Sequence, residues 1–438
     1  MGRLVKFKDF LKRSKIPIEL NDDETYKRVT IRIKHGGVSL RDTEVGKKIG
    51  TKKQFILKQG QFIVSKIDAR YGAFGIAPNE VNNAIITGNF WAYDVDFNII
   101  DIDWFNQFTN SQYFYDLCER ASSGITHRKY LSEESFLNNE INLPSLDEQK
   151  EAIAYINNLK LTGNSISTEI THQLDLIKNL RQAFLREAMQ GVLVNNETSD
   201  NKTGANLLAE IQAEKAQLVK EKKIKKPKPL APIMEDEIPF DIPENWCFIK
   251  LGLLSEIGPR SKGESLQDAA FIPMPLINSK FNSHPEFSIR KWEEISKGFT
   301  HFQERDVIFA KITPCFENSK AGIVQKIPNN LGAGTTELYV LRENSFVKSE
   351  YLYYLVKSDE FLKKGKAIMK GVSGQQRITT EFVENYIVPL PPLEIQERIV
   401  AKLDELMSYC DALEEQVKQS QQTNALLLQQ VLREALGA

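Results

Sequence analysis

Two short stretches carry residue types that do chemistry on phosphates. Gly258-Pro259-Arg260-Ser261-Lys262-Gly263-Glu264-Ser265 has the glycine spacing of a phosphate-cradling loop. Where such a loop needs its lysine the chain has Glu264, whose charge repels the phosphates it would hold. Glu221-Lys222-Lys223 has the E-x-K spacing of many nucleases, but it sits in a lysine-rich run without a positioned acidic partner. The five histidines, His35, His127, His172, His284 and His301, show no metal-ligand spacing, and Cys118, Cys247, Cys315 and Cys410 form no C-x-x-C pair. Neither a G-x-G-x-x-G cofactor loop nor an Asn-Pro-Pro-Tyr-like methyltransferase motif occurs. The chain reads as non-catalytic, with no metal and no cofactor of its own.

Binding chemistry is present instead, on loops that leave apolar strands. Phe62 to Ile67 is apolar and β-rich and runs into Lys66-Ile67-Asp68-Ala69-Arg70-Tyr71-Gly72; Val307 to Ile312 runs in the same way into Lys311-Ile312-Thr313-Pro314-Cys315-Phe316-Glu317-Asn318-Ser319-Lys320. Loops on rigid strands are where recognition residues concentrate. Lys and Arg bind phosphates or guanine edges, and Asn pairs with adenine in a major groove.

What positions these loops is a segment present twice, 247 residues apart, without a gap from Trp104 to Gly191 against Tyr351 to Ala438. Ser111 falls on Ser358, Phe114 on Phe361, Gly124 on Gly371, Leu143-Pro144 on Leu390-Pro391, Gln149 on Gln396, and Leu185-Arg186-Glu187-Ala188 on Leu432-Arg433-Glu434-Ala435. Two copies of one folding unit suggest a pseudo-twofold object. Asp103 to Arg120 and Ser349 to Lys366 carry apolar residues at helical spacing, which predicts one helix in each copy.

After the proline of each copy comes a long heptad stripe. With Ile156 as position a, the a and d residues include Ile156, Leu159, Ile166, Ile170, Ile177 and Leu180; the same frame moved by 247 gives Leu403, Leu406, Leu413, Val417, Leu427 and Val431. The two helices are about 40 residues and roughly 60 Å long, and their shared register predicts that they pack on each other as an antiparallel coiled coil. Gln173, Ser420 and Asn424 interrupt the stripes. Gly163 weakens the first helix by about 1 kcal/mol against Ala, and Ser145-Leu146-Asp147-Glu148 supplies a capping box for its start. Cys410, at an a position, reads as a small core residue.

The fold class is thus α+β: two mixed α/β domains, 1–144 and 240–391, with long helices at 145–191 and 392–438. A polar, Lys/Pro-rich linker spans 192–239; it holds a helix from Leu207 to Lys220 and is expected to be exposed. The overall balance excludes a uniformly basic protein, since the net charge is -1, but residues 1–70 hold eighteen Lys/Arg against eight Asp/Glu. Such a local patch is sufficient for nucleic acid. No apolar run approaches bilayer length and the first residues lack a signal-peptide core, which predicts a cytoplasmic protein.

The order domain, helix, domain, helix resembles the specificity subunit of type I restriction-modification systems. Leu390-Pro391-Pro392-Leu393-Glu394-Ile395-Gln396-Glu397-Arg398-Ile399-Val400 looks like that family's signature at its second conserved helix; Leu143-Pro144-Ser145-Leu146-Asp147-Glu148-Gln149 is a looser version of it. Pro239-Phe240-Asp241-Ile242-Pro243-Glu244-Asn245-Trp246 is also typical. The resemblance implies two target-recognition domains, each reading half of an asymmetric split sequence in double-stranded DNA, with the helices as spacer. It implies two methylation subunits that bind S-adenosylmethionine and restriction subunits that use ATP as partners. On that reading Lys66, Arg70, Tyr71, Lys311, Asn318 and Lys320 read the groove, and Lys34, Lys48, Lys52, Lys53 and Lys262 contact phosphates. The matched loops carrying Arg128, Lys129 and Arg377 touch the DNA backbone or a methylation subunit. A specificity subunit of a fused restriction-methylation enzyme and a protein-binding scaffold are the alternatives.

Overall fold

The computed structural model describes residues 2–125, 128–222, 230–281, 283–372 and 374–435. Its first half runs β1 (Arg3–Lys6), β2 (Leu11–Ser14), β3 (Pro17–Glu19), β4 (Thr25–Ile31), β5 (Val38–Val45), β6 (Lys53–Leu57), β7 (Phe62–Ser65), β8 (Phe74–Ile76), β9 (Ala84–Ile86), β10 (Phe90–Val95), α1 (Ile102–Thr109), α2 (Gln112–Arg120), β11 (Ser122–Ile125), β12 (Arg128–Leu131), α3 (Glu133–Leu137), β13 (Glu140–Leu143) and α4 (Leu146–Met189). There follow α5 (Gly204–Lys220), β14 (Cys247–Lys250), α6 (Leu251–Leu254), β15 (Glu256–Ile257), β16 (Asp268–Ile272), β17 (Ser288–Lys291), α7 (Trp292–Ile295), β18 (Thr300–Phe302), β19 (Val307–Ala310), β20 (Ala321–Ile323), β21 (Gly332–Gly334), β22 (Leu338–Arg342), α8 (Ser349–Val356), α9 (Asp359–Ala367), α10 (Thr380–Asn385), β23 (Ile387–Leu390) and α11 (Leu393–Ala435). The chain forms two units, one of Met1–Ile170 with Gln419–Ala438, the other of Thr171–Lys418.

In the first unit β1 pairs with β13, a four-stranded sheet runs β2-β10-β7-β8, and a five-stranded sheet runs β3-β6-β9-β4-β5. β7 is buried on both faces, because alternate side chains of a strand point opposite ways. Phe62 and Val64 enter a core with Phe7, Phe105, Phe114 and Phe136, while Ile63 enters another with Val29, Val38 and Ile86. β19 does the same in the second unit: Val307 and Phe309 join the core under α8 and α9, and Ile308 joins that of Ile272, Phe302 and Val340. The sheets there run β15-β22-β19-β20 and β17-β16-β21-β18, with β14 paired to β23.

The single helix expected over Asp103–Arg120 is two, and so is its copy. Ser111 Oγ accepts from the Phe114 amide, and Ser358 Oγ from the Phe361 amide, at 3.2 and 3.3 Å. A serine hydroxyl competes for backbone N–H groups and starts a fresh helix at that point.

The expected capping box is present: Glu148 accepts from the Ser145 amide, and the Glu148 amide donates to Ser145 Oγ. One residue further on, the wholly buried Gln149 donates to the carbonyls of Ile99 and Pro144 and accepts from the Asp101 amide. Gln396, equally buried, donates to Phe346 and Pro391 and accepts from Lys348.

The helix seam departs from the expected a/d stripe. In α4, Ile156, Gly163, Ile170 and Ile177 are buried, one per heptad; α11 buries Leu403, Met407 and Cys410. Leu159, Leu406, Val417 and Val431 are half-buried. Four of the residues assigned to packing at d face solvent instead: Ile166 is 41%, Leu180 38%, Leu413 44% and Leu427 57% exposed. A step of four residues turns about 40° and a step of three about 60° the other way, so a stripe of a and e is narrower than one of a and d. In the first unit the missing side chain of Gly163 leaves room for Leu428, whose Cδ2 lies 3.1 Å from where a Cβ would stand. In the second, Arg181 of α4 reaches Asp411 and Glu414 of α11 at 2.6 and 2.7 Å.

The segment expected to be an exposed connector is folded in its described part. Trp246 Nε1 donates to Asn196 Oδ1 at 3.0 Å, the Ser199 amide donates to Glu394, and Arg398 donates to the Glu197 carbonyl at 2.6 Å. α5 buries Leu207 and Ile211 in the core of the second unit. Apolar residues on one helical face outweigh the polar composition of their neighbours. The tract Lys223–Pro229 lies outside the described residues.

Candidate nucleic-acid interface

In the first unit the loop after β7 folds into a short turn at Ala69–Tyr71 and ends on Gly72 at φ 83°. A Cβ at Gly72 would stand 2.3 Å from Tyr115 Oη and 2.8 Å from the His35 amide, so only glycine fits. The hairpin between β4 and β5 docks there: the Lys34 amide donates to the Tyr71 carbonyl at 2.6 Å and the His35 amide to that of Gly72 at 3.0 Å. Lys34, Arg70 and Tyr71 are thereby brought together. The Arg70 guanidinium lies 4.5 Å from the Tyr71 ring centre, and half of the Tyr71 surface is open. His35 bolts the arrangement down. Its Nε2 is 2.9 Å from Thr109 Oγ1, which itself donates to the Asn106 carbonyl, so the imidazole is the donor. Burial lowers the His35 pKa and keeps the ring neutral near pH 7.

Lys66 places its ammonium 5.5 Å from the Tyr130 ring centre, and its carbonyl accepts from the Leu131 amide. Lys129, on the same β11–β12 hairpin, is paired with Glu119. The side chain of Arg128 lies outside the described residues. Lys48, Lys52 and Lys53 are not brought to this cluster. They follow β5, whose eight residues carry the chain roughly 25 Å back from the Lys34 hairpin at about 3.3 Å per residue. Lys48 pairs with Glu44, Lys52 with Asp22, and Lys53 is exposed on β6.

The second unit builds its loop differently on the same strand. Lys311 Nζ lies 5.4 Å from the Tyr339 ring centre, and the Lys311 carbonyl accepts from Ile378, the residue 247 positions beyond Leu131. Arg377 is bound at both guanidinium edges to Glu337, each contact at 2.8 Å, and this pairing holds the Glu337 carboxyl below its usual range. Phe316 is buried against Phe361 beneath the loop, leaving Asn318 exposed above it. Lys320 donates to the Met274 carbonyl at 3.2 Å. Lys262 is exposed in the loop between β15 and β16, next to Ser261, whose amide donates to His301 Nδ1. Cation, aromatic and amide groups on fixed loops suit phosphates and base edges.

Sequence reasoning missed the groups that fix these loops: His35 with Thr109, the two buried glutamines, and Lys357. The glutamines had a signal, identity at the repeat spacing, and Lys357 had another, a lone charge closing the apolar run Tyr351 to Val356. His35 had none. Among the described residues no group of three or more His, Cys, Asp or Glu is placed to hold a metal ion, and no helix is long and apolar enough to cross a membrane.

Two lobes that differ in sheet and loop, each carried on the same helical frame, define a protein with two DNA-specificity domains. Residues 4–176 and 243–421 each match the type I restriction modification DNA specificity domain, and the chain belongs to that family. It is 45% identical over 258 residues to the type I restriction enzyme EcoAI specificity subunit of Escherichia coli, covering 58% of this chain and 44% of that subunit. It is 42% identical to the EcoEI specificity subunit of the same species, covering 58% and 43%. The chain thus matches less than half the length of these two relatives. The EcoDI specificity subunit, also from Escherichia coli, is 22% identical over 80% of this chain and 73% of its own. In fold, the HsdS subunit from Thermoanaerobacter tengcongensis aligns over 99% of this chain and 96% of its own, with a TM-score of 0.54 at 17% identity. A chain from the solved type I R-M system aligns over 99% and 97%, with a TM-score of 0.53.

Proposed function

We propose that this chain is the DNA-specificity subunit of a type I restriction-modification complex and that it carries out no chemistry itself. Two unlike recognition lobes read the two halves of an asymmetric, split target in double-stranded DNA. The long helices pack as an antiparallel coiled coil whose length sets the separation of the half-sites. Apolar side chains left open on them, among them Tyr155, Leu161, Leu176 and Tyr409, give the faces on which two methylation subunits dock. Restriction subunits complete the assembly in the cytoplasm. S-adenosylmethionine and ATP belong to those partners.

The observation that carries this reading is the split between what is repeated and what is not. The helical frame repeats down to the hydrogen bonds of Gln149 and Gln396, whereas the loops at Lys66 and Lys311 share only their point of attachment. A duplicated frame with divergent loops is what reading two different sequences requires.

The test is to assemble the chain with its methylation subunits and map the methylated positions. A split motif with unlike halves is expected, bound with an affinity that falls steeply with salt. Methylation that tracks no sequence, or that is the same without this chain, overturns the reading. Lys66→Ala with Arg70→Ala should weaken binding to the matching site; a base contact is worth about 1–3 kcal/mol. Unchanged affinity removes both residues from the interface.

A further inference from the structure

Lys357 follows α8 and is wholly buried. Its ammonium donates to the carbonyls of Ser279, Lys280 and Ser319 at 2.9, 3.2 and 3.1 Å. It also lies 4.7 Å from the Phe281 ring centre and 5.3 Å from that of Tyr353. Three backbone carbonyls and two aromatic faces receive the charge, and burial draws its pKa down to about 7.

What it ties together is specific. Ser319 is a left-handed residue, φ 51°, placed between Asn318 and Lys320 in the loop that leaves β19. Ser279 to Phe281 belong to the connection from β16 to β17. On the other side, Gln182 of α4 donates to the Lys357 carbonyl and accepts from the Asp359 amide. One side chain therefore joins two loops of the variable lobe to the junction of α8 and α9, where a spacer helix also holds. In the first unit the corresponding junction contains Thr109, which holds His35 of the β4–β5 hairpin. Both units anchor a variable loop at the same point of the frame, each with its own chemistry.

Resting on the DNA-reading function above, we infer that Lys357 is a positioning residue for target recognition, fixing the backbone on which Asn318 and Lys320 are presented to the second half-site. A buried charge is a poor source of stability, and an apolar residue of similar length in its place is often neutral or stabilising. Its contribution is one loop arrangement rather than a more stable fold.

The experiment compares Lys357→Met and Lys357→Arg with the wild type in the complex with methylation subunits. Three readouts are taken: thermal unfolding, hydrogen exchange at 314–320, and binding to the wild-type target against targets altered in either half-site. Lys357→Met should unfold no earlier than wild type and exchange faster at 314–320. Its preference for the correct second half-site should fall tenfold or more, with the preference at the first half-site kept. Lys357→Arg, which keeps the donors, should restore part of that preference. Lys357→Met discriminating as well as wild type at both half-sites overturns the inference, as does equal loss at both. If the wild-type complex itself discriminates no sequence, the DNA-reading function fails, a result distinguishable from either.

Discussion

Gln149 and Gln396 make the same three hydrogen bonds to residues that are themselves 247 positions apart: Ile99 and Phe346, Asp101 and Lys348, Pro144 and Pro391. Each glutamine satisfies two carbonyls and one amide at the point where a globular lobe meets its long helix. Gln→Leu at either position leaves those groups without partners at about 1–3 kcal/mol for each one that water does not reach. We expect both variants to lower the denaturation midpoint by similar amounts. A large loss at one and none at the other would show that the shared geometry is not shared energetics.

The seam of α4 is checked by two isoleucines four residues apart. Ile170 is buried and Ile166 is 41% exposed. Ile170→Ala should cost about 2–4 kcal/mol through the lost contacts and the cavity, and Ile166→Ala no more than about 0.5 kcal/mol. Urea titration of the two variants separates an a/e stripe from an a/d stripe, which predicts comparable losses.

Arg181 is enclosed while its partners Asp411 and Glu414 are partly open to water. Asp411→Asn or Glu414→Gln alone leaves one carboxylate in place and should cost under about 1 kcal/mol. The double variant strands the guanidinium and should cost about 2–3 kcal/mol, more than the sum. Additive effects in a double-mutant cycle would mean that Arg181 finds another acceptor.

Lys357 has a pH signature. Its pKa in the folded protein, about 7, lies below the unfolded value near 10.5, so between these the unfolded chain binds more protons and stability rises with pH. Below about 7 the folded protein carries the full burden of the buried charge. The stability advantage of Lys357→Met over wild type should therefore be largest near pH 6 and shrink as pH rises toward 10. Melting curves of both proteins at four or five pH values test this; an advantage constant with pH refutes it.

Much of the frame was legible in the sequence, because it rests on local signals. The proline stops, the Ser145–Glu148 box, the apolar strands at Phe62 and Val307 and the long heptad runs each declare themselves within a few residues. The two-helix break at Ser111 was legible in principle, since serine is a preferred cap, but the apolar spacing ran through it. The five-stranded sheet was not, because its strands come from 17–57 and 84–86 in an order no local pattern encodes. Candidate cations were harder still. Lys52 and Arg377 read as free positive charge, yet Asp22 and Glu337, 30 and 40 residues away in sequence, already engage them. Periodicity reports which face of an element is buried, not which distant carboxylate will meet it.

The pairing of β14 with β23 sets Cys247 opposite Leu390, so the chain leaves the frame and returns to it within one strand spacing, about 4.8 Å. Everything from 251 to 386 is a closed excursion with its ends held. β1 and β13 close the earlier excursion in the same way, from 7 to 139. A stretch bounded like this can be exchanged, lengthened or replaced by recombination without displacing what holds its ends. For a lineage under pressure to alter what it recognises, novelty then costs one swapped segment, and the rest of the gene is inherited as it stands.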